Sequence, residues 1–132
     1  MAKMTMQAWA VDRPGPMASH PLVPVERPVP VPGAGEVRVQ VSVCGVCRTD
    51  LHLAEGDLTP KRHLVIPGHE VVGVIDELGE GTGRFDIGER VGIPWLAYTC
   101  GTCRFCVTGR ENLCTAPLFT AGTKMADTRN MP

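Results

Sequence analysis

At 132 residues the chain is long enough for one hydrophobic core and too short for two ordinary domains. Thirteen Lys and Arg against fourteen Asp and Glu leave a formal net charge of -1 with no basic block, which argues against nucleic acid or an anionic membrane as a partner. No stretch reaches the roughly 20 apolar residues that span a bilayer. Twelve prolines and fifteen glycines, spread through Val- and Ile-rich segments, predict a mainly β fold of short strands and many turns. The opening Met1-Ala2-Lys3-Met4-Thr5-Met6-Gln7 holds no apolar run suited to a signal peptide, so the expected compartment is the reducing cytoplasm.

A first strand is expected over residues 4–10, ended by Asp12-Arg13-Pro14-Gly15-Pro16. Residues 21–32 are too proline-rich for a central strand or a helix and read as an extended surface arm. Next, Val37, Val39, Val41 and Val43 alternate with Glu36, Arg38, Gln40 and Ser42, which predicts a strand with the valines on one buried face. That strand delivers the chain to Cys44 and Cys47. A short helix is expected over 48–54, stopped near Gly56, and a further strand over 71–75, directly after Gly68-His69-Glu70. Gly79, Gly81 and Gly83 follow that strand as a nucleotide loop would. The fingerprint nevertheless fails at Arg84, and residues 85–91 read as a turn entering another strand.

Near the end of the chain Cys100, Cys103, Cys106 and Cys114 place four soft ligands in one short loop, a set that suits a single tetrahedral zinc. Disulfides and free thiols compete with that reading. An iron–sulfur cluster is the weaker rival, because the bacterial ferredoxin run closes after three residues and continues with proline, whereas here seven residues intervene and Thr115 follows. A second, incomplete set offers the thiol of Cys47 and the imidazole of His69. Each also reads as an ordinary residue, Cys47 as a buried thiol and His69 as a turn histidine. The neighbours favour chemistry: Asp50 can orient a metal-binding imidazole, Thr49 offers a hydroxyl, and His52 titrates near neutrality and can pass a proton to solvent.

The runs Cys44-Gly45-Val46-Cys47-Arg48-Thr49-Asp50-Leu51-His52, Pro67-Gly68-His69-Glu70 and Cys100-Gly101-Thr102-Cys103-Arg104-Phe105-Cys106, closed by Gly109-Arg110-Glu111-Asn112-Leu113-Cys114, resemble the zinc-dependent medium-chain alcohol dehydrogenases. The likeness covers about residues 6–119 and is greatest to bacterial enzymes acting on small primary alcohols. It implies a GroES-like β-barrel catalytic domain with short helices and a zinc-binding loop, normally followed by a Rossmann domain for NAD or NADP. It further implies that Cys47 and His69 hold a catalytic zinc with Glu70 beside it, and that the four loop cysteines hold a structural one. In that pattern Thr49 and His52 carry the proton of a small alcohol, Asp50 fixes His69, and Arg48 contacts the cofactor pyrophosphate. Trp95 falls at a substrate-pocket position or serves packing, while Cys44 is a small buried residue and not a ligand. His20 and His63 match no motif position and read as surface residues. Family members are usually homo-oligomers.

Two departures from the family stand out. One further cysteine ligand and the whole dinucleotide domain are expected downstream and are absent from these residues, so the 132-residue chain alone is expected to be inactive. After Leu118-Phe119-Thr120 the family continues with glycine and tyrosine, then aspartate, two glycines, tyrosine, alanine and glutamate, whereas residues 121–132 fit none of this. Codons permitted for 121–132, read two bases on, give glycine, tyrosine, lysine, aspartate, glycine, glycine, tyrosine, alanine, glutamate, tyrosine and alanine. The expected division is therefore a catalytic-domain segment over 1–120 and a frameshifted tail over 121–132. Two rival functions remain: a standalone zinc-binding module without catalysis, and a thioredoxin-like protein using Cys44 and Cys47. The second lacks its βαβ context.

Overall fold

The computed structural model describes residues 4–59 and 63–120. Residues 121–132, on which the frameshift expectation falls, lie outside the described residues. Among those described the architecture is mainly β, as expected, with seven strands in three small antiparallel sheets and one α-helix.

Strand β1 (Thr5–Val11) pairs antiparallel with β2 (Leu22–Pro28), Thr5 facing Pro28 and Val11 facing Leu22. The proline-rich segment is thus a strand and not a free arm, a correction with a simple cause. In a two-stranded sheet each strand has an open edge, so Pro24 and Pro28 can sit where no ladder hydrogen bond is asked of them.

Three further strands form the next sheet in the order β3 (Val37–Cys44), β4 (Val71–Leu78), β5 (Arg90–Ile93). The valine alternation does mark a strand, but its face is not buried: Val41 is 48% and Val43 59% exposed. Two irregularities in the β3–β4 pairing, at Arg38/Val39 and Val41/Val43, break the period of two. Val37, Val39 and Val41 join Val31, Phe85 and Val91 along an open apolar groove of about 280 Å³. Arg38 ties β3 to β4, with its guanidinium 2.7 Å from Asp76 and also against Glu77.

Burial concentrates where the helix α1 (Arg48–Glu55) meets the first sheet. Val11, Ala54 and Val65 form a core cluster with Leu22 against it, and the Val11 N–H donates to the Val65 carbonyl at 2.8 Å. Within β4, Val71 and Ile75 are buried. The glycine run after β4 is a turn, as expected: the Thr82 hydroxyl donates to the Gly79 carbonyl at 2.7 Å and the Phe85 N–H to the Thr82 carbonyl at 3.1 Å, and the chain then enters β5. Finally β6 (Leu96–Tyr98) pairs with β7 (Leu118–Phe119), Tyr98 facing Leu118, so that these two short strands clamp both ends of the cysteine loop.

Candidate metal centres and cleft

Inside that clamp, one ligand atom from each of Cys100, Cys103, Cys106 and Cys114 lies within 4.8 Å of the others. The sulfurs of Cys103 and Cys106 are 3.5 Å apart and those of Cys100 and Cys106 3.9 Å. A disulfide would need about 2.05 Å, whereas the edge of a tetrahedron with zinc–sulfur bonds of about 2.3 Å is about 3.8 Å. The loop therefore fits one tetrahedral ion. Short turns at Cys106–Thr108 and Glu111–Leu113 shape the loop, and backbone N–H groups beside them reach the sulfurs, that of Cys103 donating to Cys100 at 3.3 Å and that of Ala116 to Cys114 at 3.4 Å. The N–H groups of Cys106 and Thr115 hold the Cys103 thiol down to about 5, while burial pushes Cys106 up to about 12. Backbone N–H groups of Thr102 and Cys103 lower Cys100 as well.

The second set forms at the start of α1. Cys47 is its N-cap in extended backbone, its sulfur accepting from the Thr49 N–H at 3.3 Å while its own N–H donates to Oδ2 of Asp50 at 2.9 Å, which closes a capping box. The other Asp50 oxygen, Oδ1, approaches Nδ1 of His69 at 3.3 Å, off the line of a hydrogen bond, and both atoms are buried without a hydrogen-bond partner. Asp50 is 8% exposed and His69 5%. Gly68, with φ of 128°, swings the chain so that His69 turns inward, a backbone conformation open essentially to glycine.

Ligand atoms of Cys47, Asp50 and His69 lie within 4.8 Å of one another, and the orphaned Asp50–His69 pair is what a bound cation would align. Because Asp50 already serves the helix cap with one oxygen and faces the imidazole with the other, it fits the orienting part better than that of a metal ligand. Glu70 is exposed with its carboxylate packed against Gly45, outside this group of three. The Trp95 ring meets His69 edge-on at 5.0 Å and stacks on Phe119 at 5.0 Å, so it packs and at the same time lines a cleft of about 700 Å³ with His69, Ile93 and Pro94.

Arg48 stands exposed at the first residue of α1, Thr49 half-buried beside it. His52 is half-buried with Nδ1 2.8 Å from Oδ2 of Asp57. Sequence reasoning passed over Asp57 and Phe119. A glycine directly after a helix whose last turn carries His52 was the available signal for the first, since such a stop folds the next residue back on that turn. Cys44 corrects the expectation of a buried residue: it is exposed, its sulfur against Gly68 and outside both ligand groups. His20 and His63 are exposed, as expected.

A β-rich domain with a four-thiolate loop and a separate Cys–His pair at a helix N-terminus is, as a class, a domain with two candidate metal centres, one of them beside a cleft. The comparisons narrow this. The family described as Alcohol dehydrogenase GroES-like domain matches residues 33–131. A probable alcohol dehydrogenase, AdhA, of Mycobacterium tuberculosis is 54% identical over 121 residues, covering 88% of this chain and 35% of the relative. Among solved structures, the cobalt- and zinc-bound thermostable alcohol dehydrogenase of Pyrobaculum aerophilum matches with a TM-score of 0.77 at 33% identity, over 91% of this chain and 34% of that one. An alcohol dehydrogenase (rspB) of E. coli CFT073, complexed with cofactor NADH, matches with a TM-score of 0.73 at 35% identity, over 89% and 32%. The chain belongs to the family of GroES-like domains of the zinc-dependent alcohol dehydrogenases. It spans about a third of the length of these relatives.

Proposed function

We propose that this chain is the substrate-side catalytic segment of a cytoplasmic alcohol dehydrogenase that oxidises small primary alcohols to aldehydes with NAD or NADP. The observation that carries the reading is the group of half-buried Cys47 with buried Asp50 and His69, opening beside the Trp95 cleft. Cys47 and His69 would hold a zinc ion, which supplies Lewis acidity to a bound hydroxyl. Around it, Asp50 fixes the His69 ring, Trp95 and Ile93 offer an apolar wall to a short alkyl chain, and Thr49 takes the hydroxyl proton. His52 passes a proton to solvent, and Arg48, exposed at the helix start, meets the cofactor phosphates. Glu70 stands near enough in sequence to exchange with the ligands of that ion. The loop of Cys100, Cys103, Cys106 and Cys114 would hold a second zinc for stability alone.

These residues carry two of the family's three catalytic zinc ligands and no dinucleotide fingerprint, so the chain alone is proposed to be inactive. Residues 121–132 are proposed to be an out-of-frame continuation; the family match runs to residue 131, and the nucleotides past codon 120 decide the matter. A shifted frame that encodes the family's continuation supports the proposal, and one interrupted by stops overturns it. The enzymatic reading is tested by joining the segment to its in-frame downstream gene. Alcohol-dependent reduction of NAD or NADP should appear there and be lost in Cys47→Ala, and an active Cys47→Ala enzyme would refute the assignment.

A further inference from the structure

We propose that Cys44 and Cys47 form a reversible redox pair: a hydroperoxide oxidises the exposed Cys44, and Cys47 closes a disulfide on it that withdraws the Cys47 sulfur from the metal group. The consequence for the ion rests on the reading of Cys47 as a metal ligand; the disulfide itself does not. Its ground is the placement of the two thiols. Cys44 ends β3 and Cys47 caps α1, so only Gly45 and Val46 separate them. Both sulfurs lie against the same turn. That of Cys44 stands 2.8 Å from where a Cβ on Gly68 would be, and that of Cys47 lies within 4.8 Å of a ring nitrogen of the next residue, His69. They differ in access, Cys44 being exposed and Cys47 half-buried, so an oxidant in solution meets Cys44 first.

A bridge needs Cα atoms about 4.4–6.8 Å apart, whereas three extended residues span up to about 10 Å, so the link must fold to close. The two residues between the thiols suit that. Val46 is 81% exposed and has little packing to lose. The Gly45 N–H donates to the Glu70 carbonyl at 2.9 Å, which holds the Cys44 end in place while Val46 and Cys47 turn. Closure gives up the 3.3 Å contact between the Thr49 N–H and the Cys47 sulfur. In the first step the Cys44 sulfur attacks the peroxide, the O–O bond breaks, the thiol becomes a sulfenic acid and the other oxygen leaves as water or an alcohol. In the second the Cys47 sulfur attacks that of Cys44, the S–O bond breaks, and the hydroxyl leaves as water with the Cys47 proton. The two thiols together lose two electrons and two protons, and the peroxide gains them. In a reducing compartment such a bond is transient, which suits a switch and not a structural bridge. While it lasts, the group of Cys47, Asp50 and His69 lacks its one sulfur ligand.

The test uses the 132-residue chain with zinc filling the cysteine loop, exposed to hydrogen peroxide, cleared of it, alkylated with iodoacetamide and cut with trypsin. The peptide 39–48, between the cuts after Arg38 and Arg48, carries Cys44 and Cys47 and no other cysteine. It is expected to be two hydrogens lighter than the reduced peptide and closed to alkylation, and dithiothreitol should return both thiols. Cobalt added after the peroxide should show no thiolate absorption at this site, whereas a Cys44→Ser chain treated alike should show it. A peptide bearing separate sulfinic acids overturns the proposal, as does Cys44 joined to a loop cysteine or a Cys44→Ser chain that loses the cobalt signal as readily as the wild type. The peptide mass is read on the unsubstituted chain, so refutation does not depend on the variant folding. Cobalt that finds no thiolate there before peroxide would overturn the reading of Cys47 as a ligand and with it the consequence for the ion, a failure distinct from a peptide that does not close.

Discussion

Within the four-thiolate loop, identical side chains differ because backbone donors and burial are shared unequally. Cys103 receives N–H groups from Cys106 and Thr115 and is held near 5, whereas the buried Cys106 is pushed to about 12. A depressed thiol is a thiolate at neutral pH, so the sign is fixed: the stabilisation from Cys103 is present above the ordinary thiol range and is lost as the pH falls through about 5. In metal-stripped chain at pH 7, iodoacetamide should therefore modify Cys103 before Cys106, as mapped by peptide mass spectrometry. Equal rates, or Cys106 first, would contradict the donor argument. In the cleft the decisive residue is Asp50. Its replacement by Asn should weaken metal binding at Cys47 and His69 by about 10- to 100-fold, measured by cobalt titration with the loop already filled with zinc. An unchanged affinity would mean that the 3.3 Å approach to His69 orients nothing.

Each centre is made by an element boundary and not by an element's interior. Cys47 works as an N-cap, His69 follows the turn at Gly68, and the loop cysteines hang between β6 and β7, strands of three and two residues. Gly68→Ala should cost about 1–3 kcal/mol, because φ is 128° there and an added Cβ would stand 2.8 Å from the Cys44 sulfur. A thermal melt measures that cost, and an unshifted melt would show that the turn relaxes freely. A clamp so short cannot hold the loop by itself. Chelation should accordingly raise hydrogen exchange over residues 98–118 first and leave β3 and β4 as they were; a uniform rise across the chain would refute this. These boundaries also explain what was legible beforehand. Cysteine spacing and the Gly68-His69-Glu70 turn announce ligands, because metal geometry demands particular residues at particular intervals. The Asp50–His69 approach spans two elements distant in sequence and was named beforehand through the family resemblance, whereas the Asp57–His52 contact depends on a helix stop whose exact position decides which residue folds back. Proline content misjudged β2 because the cost of a missing N–H depends on whether a strand has a free edge, which no local pattern records.

At the scale of the whole molecule, the informative misfit is the valine face of β3. Period-two alternation reports that one side of a strand is apolar, but not what lies across from it, and here the groove of Val37, Val39 and Val41 is open. In the order β3-β4-β5 the same strand also lies at the edge of its sheet among the described residues, so an apolar face and an edge coincide. A formal charge of -1 supplies little repulsion between copies. The chain should therefore self-associate through β3 as its concentration rises, in a reversible equilibrium seen by sedimentation. Val41→Lys tests this directly. Val41 is already 48% exposed, so a lysine can keep its stem on the groove and its charge in water, changing stability by no more than about 0.5 kcal/mol. The same charge on an edge strand opposes pairing, and the variant should remain monomeric at concentrations where the wild type associates. Association as strong as in the wild type would place the contact elsewhere, and loss of folding in Val41→Lys would mean that this face is buried in solution.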